Sequence, residues 1–232
     1  MEIETIYGLC NRLQTLIGFY TYKKPLEVIW EKNDECLGDF LDFFEDIEHV
    51  NFIKTKTENF EGSFYIFNVN KFKVDKNIYK DNFINNHQII RPKKIILDKV
   101  KNLEVEDMIG LHIRRTDFNQ HIYTHHRHLV PYVNDKYFFN IINNILKENP
   151  SQKFFLATDN LKTQNFFCKL FPNNMVIQKK IKEQSQNRQT TFEESIIDLF
   201  ALTNCKEFYG TRESSFTRFV INYRISKLKK IT

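Results

Sequence analysis

Glycine is scarce in this chain: six residues in 232, where average usage of roughly 7% would supply about sixteen. Alanine stands only at Ala157 and Ala201. The four cysteines, Cys10, Cys36, Cys168 and Cys205, are widely separated and form no CxxC pair. That pattern excludes a disulfide-dense scaffold and a compact zinc finger. No apolar run approaches the ~20 residues of a membrane span. The opening Met-Glu-Ile-Glu-Thr lacks the basic stretch of a signal peptide, so a cytoplasmic, reducing setting is expected. A dominant charge is missing too. Lys and Arg number 34 against 29 Asp and Glu, a net of +5, too weak to announce nucleic acid as a partner.

What is present is an ordinary globular balance, 41% hydrophobic and 27% charged, with 23 phenylalanines. Asn, Lys, Ile and Phe are the residues an AT-rich gene supplies, so the lysines say little about acidic partners. Two consequences follow. Each surviving glycine is expected to hold a backbone geometry that other residues do not tolerate. An Arg-Arg pair in a lysine-rich chain points to work that needs a planar fork of donors.

The C-terminal half alternates strand and helix. Met108–Ile113 reads as a short apolar strand, and Asn134–Lys147 as a helix with Tyr137, Phe138, Ile141, Ile142 and Ile145 on one face. Lys153–Ala157 is a buried strand, Leu161–Leu170 a helix stopped by Pro172, and Asn174–Gln178 a further strand. Thr191-Phe192-Glu193-Glu194 has the form of a capping box opening a helix to about Asn204. Glu207–Gly210 is the last strand and Ser215–Lys229 the closing helix. In the N-terminal half, Ile3–Tyr7, Leu26–Trp30, Asn51–Ile53 and Phe64–Phe67 read as strands. Asn11–Tyr22 and Cys36–Glu45 read as helices, as does a stretch from Pro92 to about Val100. The expected fold is α/β with two Rossmann-like halves and mostly parallel sheets, divided as 1–104 and 105–232.

In such sheets ligands bind beyond the carboxyl ends of the strands. Gly8–Arg12, His112–Asp117, Thr158–Asn160 and Gly210–Thr217 place glycine or polar groups there. Alternation puts His112 and Arg114 on one face and Ile113 and Arg115 on the other. A guanidinium beside an imidazole suits two oxygens of a phosphate; Arg115 reads equally as a brace against Asp117. Ser214, Ser215 and Thr217 crowd the start of a helix, where free N–H groups favour anions. One of these serines serves as an N-cap on the simplest reading. Asp159 reads as the cap of the helix that follows it.

His-x-Arg-Arg-x-Asp (112–117), Ala-Thr-Asp (157–159) and Asp-(x)12-Thr-x-x-Ser-Ser-Phe-Thr (198–217) resemble the three motifs of GDP-fucose-dependent fucosyltransferases. That family includes the α1,6-, α1,2- and protein O-fucosyltransferases. Gly8-Leu9-Cys10-Asn11-Arg12-Leu13 is similar to its N-terminal turn, and Trp30, Cys36 and Phe40–Phe44 to the segment that follows. The resemblance covers about Ile3–Glu45 and Met108–Val220.

It implies a two-domain GT-B glycosyltransferase, inverting and metal-independent, that moves L-fucose from GDP-fucose to a glycan acceptor. The first half would face the acceptor and the second hold the nucleotide sugar. Arg114 would bind the β-phosphate, with Asn11 and Gly8 approaching from the other domain. His112 and Arg115 would line the nucleotide pocket, Asp198 would contact guanine, and Ser214, Ser215, Phe216 and Thr217 would hold the diphosphate. No general base is assigned, because Gly8 stands where some relatives carry an acidic residue. Asp117, His125 and Glu213 are the acceptor-side candidates. The run His121, His125, His126 and His128 reads as an acceptor-side loop and not a metal site, for it has no His-Glu-x-x-His and no nearby cysteine. Neither a cofactor, nucleic acid nor stable membrane insertion is expected.

Overall fold

The computed structural model describes residues 1–115, 134–179 and 190–229. The chain forms two compact units, Met1–Ile96 with the stretch from Arg218 onward, and Leu97–Thr217. The sequence reading places its single break at 104/105. In the structure the C-terminal helix returns to the first unit, a long-range relation that local patterning does not carry.

The first unit is built on four parallel strands, β1 (Glu2–Thr5), β2 (Leu26–Ile29), β3 (Val50–Ile53) and β4 (Phe60–Phe64), in the order β3-β2-β1-β4. After β1, Gly8 adopts an extended N-cap conformation and opens helix α1 (Leu9–Tyr22). Leu13, Leu16, Ile17 and Phe19 of α1 are fully buried. A Cβ on Gly18 would lie 2.5 Å from the Phe67 Cβ, so glycine lets Phe67 pack there beside Phe19 (centroids 5.0 Å apart). Phe67 is therefore core outside a strand, and β4 lies earlier than the expected Phe64–Phe67. The expected Cys36–Glu45 helix shrinks to α2 (Phe40–Phe43). Before it, the Asn33 side chain accepts the N–H of Cys36 and holds that stretch in a turn.

Helix α3 (Lys76–Asn85) has no counterpart in the sequence reading. Asp75 caps it by accepting the N–H groups of Asn77 and Ile78. Its apolar stripe is aromatic: Tyr79 stacks on Phe83, and Phe83 meets the buried His87 of a 3-10 turn at Asn86–Ile89. Helix α4 (Lys94–Lys101) begins two residues later than expected, because Pro92 pairs with Phe44 in an isolated β-bridge instead of entering the first turn.

The second unit repeats the topology with β5 (Ile109–Ile113), β6 (Phe154–Thr158), β7 (Met175–Val176) and β8 (Glu207–Gly210), all parallel, in the order β7-β6-β5-β8. Both central strands are buried along their whole length, as expected for a parallel sheet covered on both faces. Helices α5 (Asp135–Glu148) and α6 (Leu161–Leu170) cover one face, where Phe138, Ile142 and Phe167 pack on Ile109, Leu111, Ile113 and Leu156. Helix α7 (Phe192–Asn204) covers the other and carries the expected capping box between Thr191 and Glu194. There Gly110 serves close approach: a Cβ would meet Leu202 at 2.8 Å. Helix α8 (Ser215–Lys229) starts in this unit and continues into the first, where Phe219 packs against His87 and the Gln88 amide donates to Ser226 (2.7 Å).

Candidate active site

In each sheet the first strand lies between the second and the fourth. In a sheet of this order a crevice opens where the connections leaving the first and fourth strands run to opposite faces; in the first unit they do not, since α3 after β4 packs on α1 after β1, with Tyr79 against Gly18. In the second unit that crevice is flanked by the carboxyl ends of β5 and β8, the segments carrying His112–Arg115 and Thr211–Thr217.

Threonines lace these ends together. Thr211 donates its N–H (2.9 Å) and hydroxyl (3.2 Å) to the His112 carbonyl. Its hydroxyl oxygen accepts the Arg114 N–H at 3.0 Å. On the other side of β5, the Thr158 hydroxyl donates to the Ile113 carbonyl at 2.6 Å.

His112 points away from α5 and α6. Its ring stacks on Phe216 (4.4 Å between centroids, planes at 19°), and Nδ1 shares a 2.8 Å hydrogen bond with the Thr217 hydroxyl. Burial pushes the imidazole down to about 3, with Arg114 and Arg115 acting in the same direction, so the ring is neutral at neutral pH. Gly210 makes this contact possible. A Cβ there would lie 2.6 Å from both Thr217 Cγ2 and Oγ1. Scarce glycine here answers a need for space, not for an unusual backbone angle.

Asp159 is the residue that sequence reasoning misplaced. Asn160, not Asp159, caps α6 by accepting the Thr163 N–H at 3.0 Å. The Asp159 carboxylate turns to the paired arginines: Oδ1 accepts the Arg115 N–H at 2.8 Å, and Oδ2 accepts from Arg114 Nη1 at 2.5 Å. Asp159 and Arg114 are 10% and 19% exposed at the side chain. The buried Arg115 side chain pairs with Asp135, the first residue of α5. The signal for Asp159 lay in its position: it directly follows a strand that pairs in register with β5, ending opposite Ile113.

Asp198 lies in the middle of α7, 8% exposed, and its Oδ1 has no hydrogen-bond partner among the described residues. Burial raises its pKa well above the usual carboxylate range, and Glu194 one turn earlier adds to the rise. A buried polar atom left unpaired is costly. Ser214 is buried, Ser215 begins α8, and the exposed Glu213 before them adopts φ +63°.

The structure thus brings His112, Arg114, Phe216 and Thr217 to one pair of strand ends, with Arg115 and Asp159 behind them. Gly8 and Asn11 belong to the first unit, at the end of β1. Arg12 beside them is wholly buried; Nε donates to the Tyr7 carbonyl (2.6 Å), Nη1 to the Glu31 carbonyl (2.5 Å), and the guanidinium lies 5.5 Å from the Trp30 ring centroid. Asp117 and the His121–His128 run, with His125, lie outside the described residues. Among the described residues no cluster of His, Cys, Asp and Glu is arranged to hold a metal ion, and no helix is long and apolar enough to cross a membrane.

No protein-family model and no curated protein matches the sequence. Solved structures do match the fold. The fucosyltransferase NodZ from Bradyrhizobium is 15% identical, with a TM-score of 0.59 over 95% of this chain and 92% of that one. POFUT1 in complex with GDP-fucose is 10% identical, with a TM-score of 0.61 over 96% and 94%. An Arabidopsis thaliana FUT1 variant in complex with GDP is 9% identical, with a TM-score of 0.54 over 96% of this chain and 68% of that one. At these identities the likeness establishes architecture: the chain has the α/β fold of GT-B type, two parallel Rossmann-like sheets, that these fucosyltransferases share.

Proposed function

We propose that this protein is an inverting, metal-independent glycosyltransferase that moves L-fucose from GDP-fucose to a hydroxyl of a glycan. The observation that carries the reading is the gathering of His112, Arg114 and the Ser214–Thr217 helix start at the β5–β8 crevice. The fucosyl C1–O bond to the β-phosphate breaks, GDP departs with the bonding pair, and the acceptor oxygen bonds C1 from the opposite face as its proton passes to a base or solvent. Negative charge grows on the diphosphate. Arg114, oriented by Asp159, and the donors at the start of α8 face that charge; preorganised donors of this kind are worth about 3 kcal/mol each. Neutral His112 and Phe216 form the pocket wall. Ionised Asp198 accepts from guanine N1–H and its exocyclic amine. Roles for Gly8 and Asn11 rest on the motif resemblance, as do the acceptor-side roles of Glu213, Asp117 and His125.

One observation favours a second reading, the same fold serving another nucleotide-linked sugar. The raised pKa of Asp198 favours a protonated carboxyl, which offers one donor and one acceptor and matches a uracil edge better than two guanine donors. Calorimetric titration with GDP, UDP and dTDP separates the two. The fucosyl reading expects GDP to bind, UDP and dTDP to bind far more weakly, and GDP-fucose turnover to survive EDTA. A preference for UDP overturns it.

A further inference from the structure

Two tyrosines stand just beyond the carboxyl ends of β1 and β4, neighbouring parallel strands of the first sheet. Tyr7 follows β1 and Tyr65 follows β4; they are 45% and 55% exposed. Their rings meet edge to face, with centroids 5.4 Å apart and planes at 68°. Among the described residues neither hydroxyl makes a hydrogen bond. Large aromatic rings left open to water forgo the burial that normally holds them.

Tyr7 is also held in the left-handed region, at φ +65°, where bulky residues are strained. Such strain persists only when its surroundings enforce it, and it concentrates at binding sites. The enforcement is visible here. Arg12 carries its charge into the core and fixes the Tyr7 carbonyl through Nε at 2.6 Å. A buried cation is among the costliest groups to place in a protein interior, and burial lowers the pKa of this one. The device holds Tyr7 against Tyr65.

We infer that Tyr7 and Tyr65 form a stacking platform for an uncharged pyranose ring. Because this names the saccharide-binding element of the acceptor side, it rests on the glycosyltransferase reading above. The two rings make an open corner of apolar faces with a phenol hydroxyl on each. A pyranose has the matching pattern: C–H bonds across its faces and hydroxyls around its rim. Stacking holds the sugar, and the phenols reach the rim hydroxyls.

The test is saturation-transfer NMR on the full chain with methyl β-galactoside, methyl β-N-acetylglucosaminide and methyl α-mannoside, with GDP as a parallel ligand. At least one glycoside should receive saturation from the wild-type protein. Tyr65→Ala and Tyr7→Asn should each weaken it about tenfold, an effect on the scale of one lost aromatic contact. Asn is chosen because it tolerates the left-handed region. Tyr7→Phe should retain most of the binding, and GDP affinity should be unchanged in all three variants. If Tyr7→Asn fails to fold, Tyr65→Ala alone decides. Absence of glycoside binding to wild type, equal binding by the tyrosine variants, or displacement of the glycoside by the GDP base from these tyrosines overturns the inference. Tyrosine-dependent glycoside binding in a protein that ignores GDP leaves the platform standing and overturns the donor reading instead.

Discussion

Replacing Asp159 by alanine removes one carboxylate that holds two consecutive residues. Oδ2 receives Arg114 Nη1 and Oδ1 receives the Arg115 N–H. Truncating one member of a buried ion pair costs about 3–5 kcal/mol. With the Arg114 side chain 19% exposed, water relieves part of that, so the low end of about 3 kcal/mol applies. The Arg115 N–H loses its acceptor as well, adding about 1 kcal/mol. For a unit spanning Leu97–Thr217, the combined loss lowers Tm by about 12–16 °C, at roughly 3–4 °C per kcal/mol. Asp159→Asn keeps an acceptor for the Arg115 N–H and loses the charge, so it should fall between wild type and Asp159→Ala. Circular dichroism melts give the stability, and calorimetry with GDP gives the second readout. GDP should bind about tenfold more weakly to Asp159→Ala, the scale of one misaligned charge-assisted hydrogen bond. A Tm within a degree or two of wild type, or unchanged GDP binding, refutes the view that Asp159 holds Arg114 in place.

Three further outcomes follow from the same geometry. The unfolded imidazole titrates near 6.5 and folded His112 near about 3, so the unfolded state binds more protons between those values and stability falls as pH drops through that window. Between about pH 7 and pH 5 the loss from this residue is about 2 kcal/mol, and His112→Gln should lack it in urea titrations at those two pH values. The His87 slope, with that group pushed down to about 4, remains in both proteins. If guanine is read by an ionised Asp198, GDP binding expels a proton. Calorimetry should then show affinity rising with pH, in a dependence that Asp198→Asn flattens; a pH-independent affinity contradicts the assignment. Gly210→Ala drives a methyl group into Thr217, at a cost of about 1–3 kcal/mol, and should weaken GDP binding. Gly110→Ala, which meets Leu202, should cost a similar amount in a urea melt and leave GDP binding unchanged.

The legible parts of the chain were those where a local signal is complete. Leu161–Leu170 and Glu207–Gly210 are observed with the expected bounds, and the closing helix starts at Ser215 as expected; the nearby Pro172 stops the first and Gly210 ends the second. The Thr191 capping box is legible since both its partners lie within four residues. Helix α3 was not, because its half-buried stripe is only Tyr79 and Phe83, ahead of the buried His87, and its polar remainder reads as loop. At the Asp159-Asn160 pair, two good caps stand side by side, and the sequence does not say which one the first helical residue selects. The return of α8 to the first unit depends on contacts such as Phe219 with His87, which no local pattern encodes. His112 and Arg114 were legible as a strand-end pair; Asp159 and Thr211, which hold that end in shape, act through contacts 44 and 97 residues away in the chain.

The most direct measurement is a crystal structure of the protein with GDP. The expected result has diphosphate oxygens within hydrogen-bonding distance of the Arg114 guanidinium and of the Ser214–Thr217 helix start, with the guanine edge on Asp198. GDP seated on any other surface, touching neither Arg114 nor that helix start, contradicts the claim that the β5–β8 crevice grips a departing nucleotide.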